Sequence, residues 1–203
     1  MLDSANQGTD AWLAERAGRV TASAISNCMM AKTTAGYQNY LAQLVCERLT
    51  GRPTDTFKSA AMEHGNETEP QARAFYELES GNTVLECGFI PHPTFENSGA
   101  SPDGLVGELG LVEIKCPQPA KHIKNLMGGN IDKGYALQMQ WQMVCTGREW
   151  CDFVSFNPDF PDHLKISIRR VEKDAEVCAD LTAAVTQFLA AVDAQLRALE
   201  GLA

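Results

Sequence analysis

Apolar positions repeat at helical spacing in several stretches of the chain and at strand spacing in others. Between residues 35 and 50, Tyr37, Tyr40, Leu41, Leu44, Val45 and Leu49 fall on one stripe. Gly51 and Pro53 end that stripe, so it predicts a helix. A second helical stretch runs from Ser59 to about Leu78, interrupted by Pro70, so it either kinks or restarts after Thr68. Thr68 and Gln71 stand at capping-box spacing, which favours the restart. Near the end, Val177, Leu181, Val185, Phe188, Val192, Leu196 and Leu199 recur at steps of four, four, three, four, four and three. That period predicts a long amphipathic helix docked on the core. Shorter helices are predicted over 134–145, after Thr9 or Asp10 (carrying Trp12, Leu13 and Arg16), and after Thr21-Ala22-Ser23 through Ile25 and Met29. Strands are predicted over 83–91, 105–107, 111–116, 151–156 and 164–171. Helices interleaved with strands predict an α/β fold. No repeat, low-complexity tract or linker divides the chain, which predicts one domain over residues 1–203.

The strand predicted over 111–116 carries the clearest chemistry. Alternate residues share a face, so Glu113 and Lys115 project together, while Val112, Ile114 and Cys116 project the other way. Gly104, Gly107 and Gly110 precede it and suit a tight reversal. A hairpin there brings Asp103, of Ser101-Pro102-Asp103, beside Glu113 and Lys115. Two carboxylates and an ammonium suit divalent-metal phosphodiester chemistry: hard oxygen ligands for Mg²⁺, and a lysine to hold or activate water. The same residues also fit a solvated hairpin, and an acid-x-lysine pair alone is common.

Composition narrows the picture. The net charge of −9 counts against a protein that coats DNA broadly. The charge is uneven, however. Lys115 to Lys133 holds four lysines and a single acid, Asp132, whereas Glu172 to Glu200 holds six acids against Lys173 and Arg197. A basic lining and an acidic outer helix are compatible with focusing on DNA. The seven cysteines are scattered without a Cys-x-x-Cys pair, which disfavours a zinc or disulfide framework. No run of about eighteen apolar residues and no signal-peptide pattern is present, so a cytoplasmic protein without a membrane helix is expected. A P-loop, a dinucleotide glycine motif and a Ser-His-Asp set are all missing, which argues against an ATP-driven motor.

Five blocks in order give the chain a family resemblance. Trp12-Leu13-Ala14-Glu15-Arg16-Ala17-Gly18-Arg19-Val20-Thr21-Ala22-Ser23 is followed by Met62 to Arg73, with Gly65, Glu69, Ala72 and Arg73 at motif positions. Then come Pro102-Asp103 with Glu113-Ile114-Lys115, Tyr135-Ala136-Leu137-Gln138-Met139-Gln140, and Phe153-Val154-Ser155-Phe156-Asn157-Pro158. This set resembles the lambda-exonuclease group of phage recombination nucleases, also called YqaJ-like viral recombinase nucleases, of the PD-(D/E)xK superfamily. The resemblance implies a restriction-endonuclease-like fold, a central mixed sheet flanked by helices. It also implies a Mg²⁺-dependent exonuclease with two metal ions, Mn²⁺ substituting. Such an enzyme degrades the 5′-ended strand of linear double-stranded DNA from a 5′-phosphate and leaves 3′ tails for a phage single-strand annealing protein. It works as a homotrimeric ring in the bacterial host cytoplasm. By the same resemblance Asp103, Glu113 and the Ile114 carbonyl bind metal and Glu69 completes the second metal's environment. Lys115 orients and helps deprotonate water, Gln138 faces the site, and Arg16, Ser23 and Ser101 hold the 5′-phosphate. The single cysteine beyond Cys151, Cys178, disfavours the related nucleases that carry an iron–sulfur cluster.

Residue types alone leave alternatives. Glu69 projects from a mainly apolar stripe and needs a partner, either Arg73 four residues on or a metal. Gln138 and Gln140 sit in an otherwise apolar helix, and the role of Gln140 is open. Arg16 and Ser23 suit phosphate, but residue types alone favour a surface arginine and an ordinary N-cap serine. His64, His92, His122 and His163 share no metal-ligand spacing. The rival functions are an endonuclease of the same superfamily and a non-catalytic DNA-end-binding module.

Overall fold

The computed structural model describes residues 6–54 and 60–202, with only the backbone described at 60–63 and 66. The side chains of Met62 and Glu63, in the second sequence block, therefore lie outside the described residues. The elements in chain order are α1 (Asp10–Arg16), β1 (Val20–Thr21), α2 (Ile25–Cys28), α3 (Ala35–Thr50) and α4 (Ala60–Ser80). There follow β2 (Val84–Leu85), β3 (Ile90–Pro91), β4 (Ser98–Ala100), β5 (Gly104–Val106) and β6 (Gly110–Lys115). The remainder are α5 (Pro119–Leu126), α6 (Lys133–Thr146), β7 (Trp150–Phe156), β8 (Ile166–Glu172) and α7 (Ala175–Glu200).

The main sheet has the order β2-β5-β6-β7-β8. Strands β6 and β7 run parallel and the other pairs antiparallel, so the sheet is mixed. A parallel pair needs a crossover, and the α5–α6 segment supplies it. Both faces of β6 are covered. Val112 and Ile114 pack with Ala72 and Tyr76 of α4, and Leu111 packs with Met139 and Met143 of α6. Behind α6 lies a helical core of α2, α3 and α7, where Phe188 stacks on Tyr40 and meets Tyr37 edge-on. Helix α7 has the length and composition to cross a membrane. Its stripe of Leu181, Val185, Phe188 and Val192 is instead wholly buried in this core, as expected of a docked helix. This is the α/β architecture with a central mixed sheet flanked by helices that the sequence predicts.

A second, three-stranded sheet, β1-β4-β3, matters for the site. It pairs Val20 with Ser98 and Thr21 with Gly99 in parallel, which lays the α1–β1 segment beside the residues leading into Ser101. The turn from α1 into β1 is held at Gly18, whose φ of +70° suits glycine. Its N–H donates to Glu47 Oε2 (2.7 Å) and its carbonyl accepts from Arg48 Nε (2.8 Å).

Several local expectations need correction. Helix α4 runs unbroken through Pro70. Thr68 does not cap a new helix, because its hydroxyl donates back to the His64 carbonyl (2.7 Å). The strand expected over 83–91 is two short pieces in different sheets, β2 on β5 and β3 on β4. Thr21 makes no side-chain cap, and a 3₁₀ turn over Ala22–Ala24 leads into a single-turn α2. Leu49 was placed on the α3 stripe but is 54% exposed. Helix α5 and strands β1 and β4 were not anticipated. The two strands are two and three residues long, too short to show an alternation. Thr9 caps α1 as expected, accepting from the Trp12 N–H.

Candidate active site

The β5–β6 hairpin forms as its glycines predict. Gly107 takes φ +53° in the turn, and a side chain at Gly104 would collide with Val84. Arg148 Nη1 clasps the turn by donating to the carbonyls of Val106 (3.2 Å), Gly107 (2.9 Å) and Gly110 (2.6 Å). The register pairs Gly104 with Val112, so Asp103 falls opposite Glu113 and Pro102 opposite Ile114. Asp103 Oδ2 accepts from the Ile114 N–H (2.7 Å). Proline has no N–H, so Pro102 leaves the Ile114 carbonyl without the return bond of an antiparallel pair.

Glu113 is fully buried and held on both oxygens. Oε1 takes Lys115 Nζ (2.5 Å) and Gln138 Nε2 (2.6 Å), and Oε2 takes Gln142 Nε2 (2.6 Å). Gln138 thus lies against Glu113. Gln140 does not. It donates to the Glu172 carbonyl (2.9 Å) and accepts from the Asp174 N–H (2.9 Å), tying α6 to the β8–α7 connection. Gln142 was missed, although its spacing of four from Gln138 puts both amides on one helix face. Its Oε1 is buried without a partner.

The electrostatics show crowding of like charge. Burial raises the Asp103 carboxyl well above its usual range, and the Glu113 and Glu69 charges add to this while Lys115 opposes it. For Lys115, burial works against the ammonium, but Glu113 and Asp103 outweigh it and the net shift is upward. Lys115 also lies 5.1 Å over the Tyr135 ring, with Lys121 4.5 Å from the same ring, so part of the expected basic lining gathers here. Glu69 is raised mainly by burial, with Arg73 opposing, and it feels the charges of Lys115 and Glu113. In this state its partner is Arg73 (2.8 Å), which also binds Glu86.

This donor set has to be weighed against a metal. Among the described residues no three acidic, histidine or cysteine side chains form a cage as they stand. Lys115, Gln138 and Gln142 occupy Glu113, and Arg73 occupies Glu69. Even so, Asp103, the Glu113 edge and the Ile114 carbonyl offer only oxygen donors, and the Asp103 carboxyl, raised first by burial, also feels the Glu113 and Glu69 charges. That suits a hard divalent cation. Glu69 joins such a site only by releasing Arg73.

The three residues assigned to phosphate also meet. Arg16 Nη2 donates to Ser23 Oγ (3.1 Å) and Nη1 reaches Ser101 Oγ (3.4 Å). Trp12 Nε1 donates to the same Ser101 oxygen (3.0 Å), and the guanidinium lies 4.1 Å over the Trp12 ring. No carboxylate forms an ion pair with Arg16 among the described residues, and burial lowers its pKa, with Tyr40 and Glu47 opposing. Two of the four histidines are structural, while His64 and His163 are exposed. His122 is fully buried against Ser155 and the Leu164 carbonyl, and His92 stacks on Trp141.

Comparisons with known proteins agree with this geometry. Residues 11–149 match the model of the YqaJ-like viral recombinase domain. An alkaline exonuclease, LHK-Exo, from Laribacter hongkongensis is 46% identical, with a TM-score of 0.89 covering 95% of this chain and 96% of that one. The same similarity holds for LHK-Exo in complex with dAMP. A phage-related exonuclease from Haemophilus somnus 129PT shares the fold, with a TM-score of 0.69 at 16% identity over 89% of this chain and 96% of that one. An uncharacterized protein, R354, of Acanthamoeba polyphaga mimivirus is 28% identical over 169 residues, 75% of this chain but 29% of that protein.

Proposed function

The chain belongs to the YqaJ-like viral recombinase family, and from that premise we propose that it is a DNA exonuclease dependent on divalent metal. The observation that carries this is the convergence of Asp103, Glu113 and Lys115 on one hairpin, with the Ile114 N–H donating to Asp103. In the finer reading it degrades the 5′-ended strand of linear double-stranded DNA and leaves 3′ tails. Arg16, Ser23 and Ser101 then receive the terminal 5′-phosphate. A phage single-strand annealing protein takes the tails, in the bacterial host cytoplasm. The protein works as a homotrimer, with three heterologous contacts closing a ring. Light scattering tests that assembly, since a monomer mass at working concentration rejects the ring.

Asp103, Glu113 and the Ile114 carbonyl would hold a divalent cation, Mg²⁺ with Mn²⁺ able to replace it, and Glu69 would serve a second. When bound, the cation supplies Lewis acidity and a water of lowered pKa. The chain's own residues do the rest. Glu113 fixes Lys115, and Gln138 and Gln142 fix Glu113, so the ammonium has one orientation. With Glu113 and Asp103 keeping Lys115 protonated, its first role is to donate to the attacking water and to phosphate oxygens. Its help in deprotonation requires those carboxylate charges to be neutralised. The Arg16 fork places the strand end, with Ser101 only two residues from Asp103 and thus within ~7 Å of extended chain. That spacing suits one nucleotide between the phosphate cluster and the carboxylates.

Polarity and end dependence are testable together. A linear duplex labelled at either the 5′ or the 3′ end of one strand is digested in Mg²⁺ or EDTA, beside supercoiled circular DNA. The expected result is early loss of 5′ label as mononucleotide, only in Mg²⁺, with the circle intact. A nicked or linearised circle identifies an endonuclease instead, and binding without product identifies an end-binding module.

A further inference from the structure

We propose that the cleft beside Arg16 is a nucleoside subsite, through which a 5′-hydroxyl end is engaged one nucleotide further in and releases a dinucleoside monophosphate first. This rests on the exonuclease reading above. The cleft has a volume of about 610 Å³; its polar wall includes Arg16, Arg19, Ser23, Asn27, Asn39, Gln43 and Glu47, its apolar wall includes Trp12 and Leu13, and Asp103, Glu113 and Lys115 do not line it. That volume lies within the ~300–1,000 Å³ typical of small-molecule sites.

Arg16 stands between the two spaces. Its Nη1 faces Ser101, next to the carboxylate hairpin, and its Nη2 faces Ser23, which lines the cleft. A phosphate on Arg16 therefore has the reaction centre on one side and open volume on the other. The wall chemistry selects what fills that volume. Asn27, Asn39 and Gln43 bear amides with the donors and acceptors that base edges require. Glu47 is buried and held as an acceptor by Gly18, Gln43 and Thr54. Its charge offsets that of Arg19, which also lines the cleft, so with Arg16 already taken by one phosphate the walls offer no surplus positive charge for a second. The occupant is an uncharged nucleoside.

A 5′-phosphorylated end puts its terminal phosphate on Arg16 and leaves the cleft free. An unphosphorylated end has no such group, so its first internucleotide phosphodiester takes the place and the first nucleoside enters the cleft. Water then attacks the phosphorus between the second and third nucleotides. The P–O3′ bond breaks, the leaving 3′ oxygen of the second nucleotide takes a proton, and the phosphate stays on the 5′ oxygen of the third. The strand now ends in a 5′-phosphate, and later products are mononucleotides.

Mass spectrometry of the first products from matched duplexes with 5′-hydroxyl and 5′-phosphate ends tests this, with wild type and Asn39→Trp. Asn39 lies on the exposed rim, so tryptophan fills the cleft without disturbing the core. Wild type should release a dinucleoside monophosphate from the hydroxyl end and a mononucleotide from the phosphorylated end. Asn39→Trp should lose the dinucleoside product and digest the phosphorylated duplex at the wild-type rate. A free nucleoside as first product, no cleavage of the hydroxyl end, or persistence of the dinucleoside in Asn39→Trp each overturns the subsite while the exonuclease reading stands. Failure of wild type to digest the phosphorylated duplex overturns both.

Discussion

Substituting Gln142 by methionine separates a packing role from a role in aligning Glu113. Gln142 is fully buried, and its Nε2 is the one hydrogen-bond donor found on Glu113 Oε2 among the described residues. Methionine is close in shape and removes that bond. A hydrogen bond to a charged group contributes about 1.5–3 kcal/mol, and a buried orphan acceptor costs about 1–3 kcal/mol. Gln142 Oε1 is such an orphan, so its removal offsets part of the loss. The net destabilisation is then about 1–2 kcal/mol, or roughly 2–8 °C in Tm for a chain of this size. Function should suffer more than stability. Glu113 would keep donors on Oε1 alone and could pivot, and loss of a partner that orients a metal ligand typically costs about 10–100-fold in metal affinity or activity. The assay pairs a thermal melt in EDTA with duplex digestion across a Mg²⁺ titration. A lowered Tm with unchanged Mg²⁺ dependence and rate would refute the reasoning, because Gln142 would then serve packing alone.

Lys115→Ala should abolish turnover while metal-dependent binding of duplex persists in a gel-shift assay, because the lysine touches Glu113 without being a ligand. A near-normal rate would remove Lys115 from the mechanism. Arg16→Ala should erase the preference for phosphorylated over hydroxyl 5′ ends; a uniform loss on both ends with a lowered melt would mean a structural arginine. The carboxylates give a pH dependence with a definite sign. Asp103 and Glu69 are both raised, first by burial, so the folded protein holds more protons than the unfolded chain in the window above the ordinary carboxylate range. Metal-free stability should therefore fall as pH rises through that window, and Mg²⁺ should restore it. Mg²⁺ binding should release protons, so affinity rises with pH and calorimetric heats differ between buffers of different ionisation enthalpy. Heats independent of buffer would contradict this.

The hairpin and the long helices were legible because their signals are local. Alternation put Glu113 and Lys115 on one face, the glycines marked the reversal, and the α7 period put seven side chains on one stripe. What stayed hidden depends on contacts distant in sequence. The pairing of β1 with β4, which carries Arg16 to Ser101, joins residues almost eighty positions apart through strands too short to show a pattern. The choice at Glu69 between Arg73 and metal was even on spacing, and the described conformation takes Arg73. Pro70 misled because tertiary packing of Ala72 and Tyr76 on the sheet keeps α4 continuous across the one N–H that proline lacks. Gln142 was overlooked among apolar neighbours, although its interval of four from Gln138 was visible.

The account stands most directly on whether the Asp103 hairpin is a metal-dependent phosphodiesterase centre. The measurement is release of acid-soluble nucleotides from a uniformly labelled, 5′-phosphorylated linear duplex, comparing wild type with Asp103→Asn in Mg²⁺, in Mn²⁺ and in EDTA. Wild type should release mononucleotides with either metal and none in EDTA, and Asp103→Asn should release none at any metal concentration while melting at or above the wild-type temperature, since the substitution removes a crowded negative charge. Release by wild type in EDTA, or wild-type release by Asp103→Asn, would contradict the central claim.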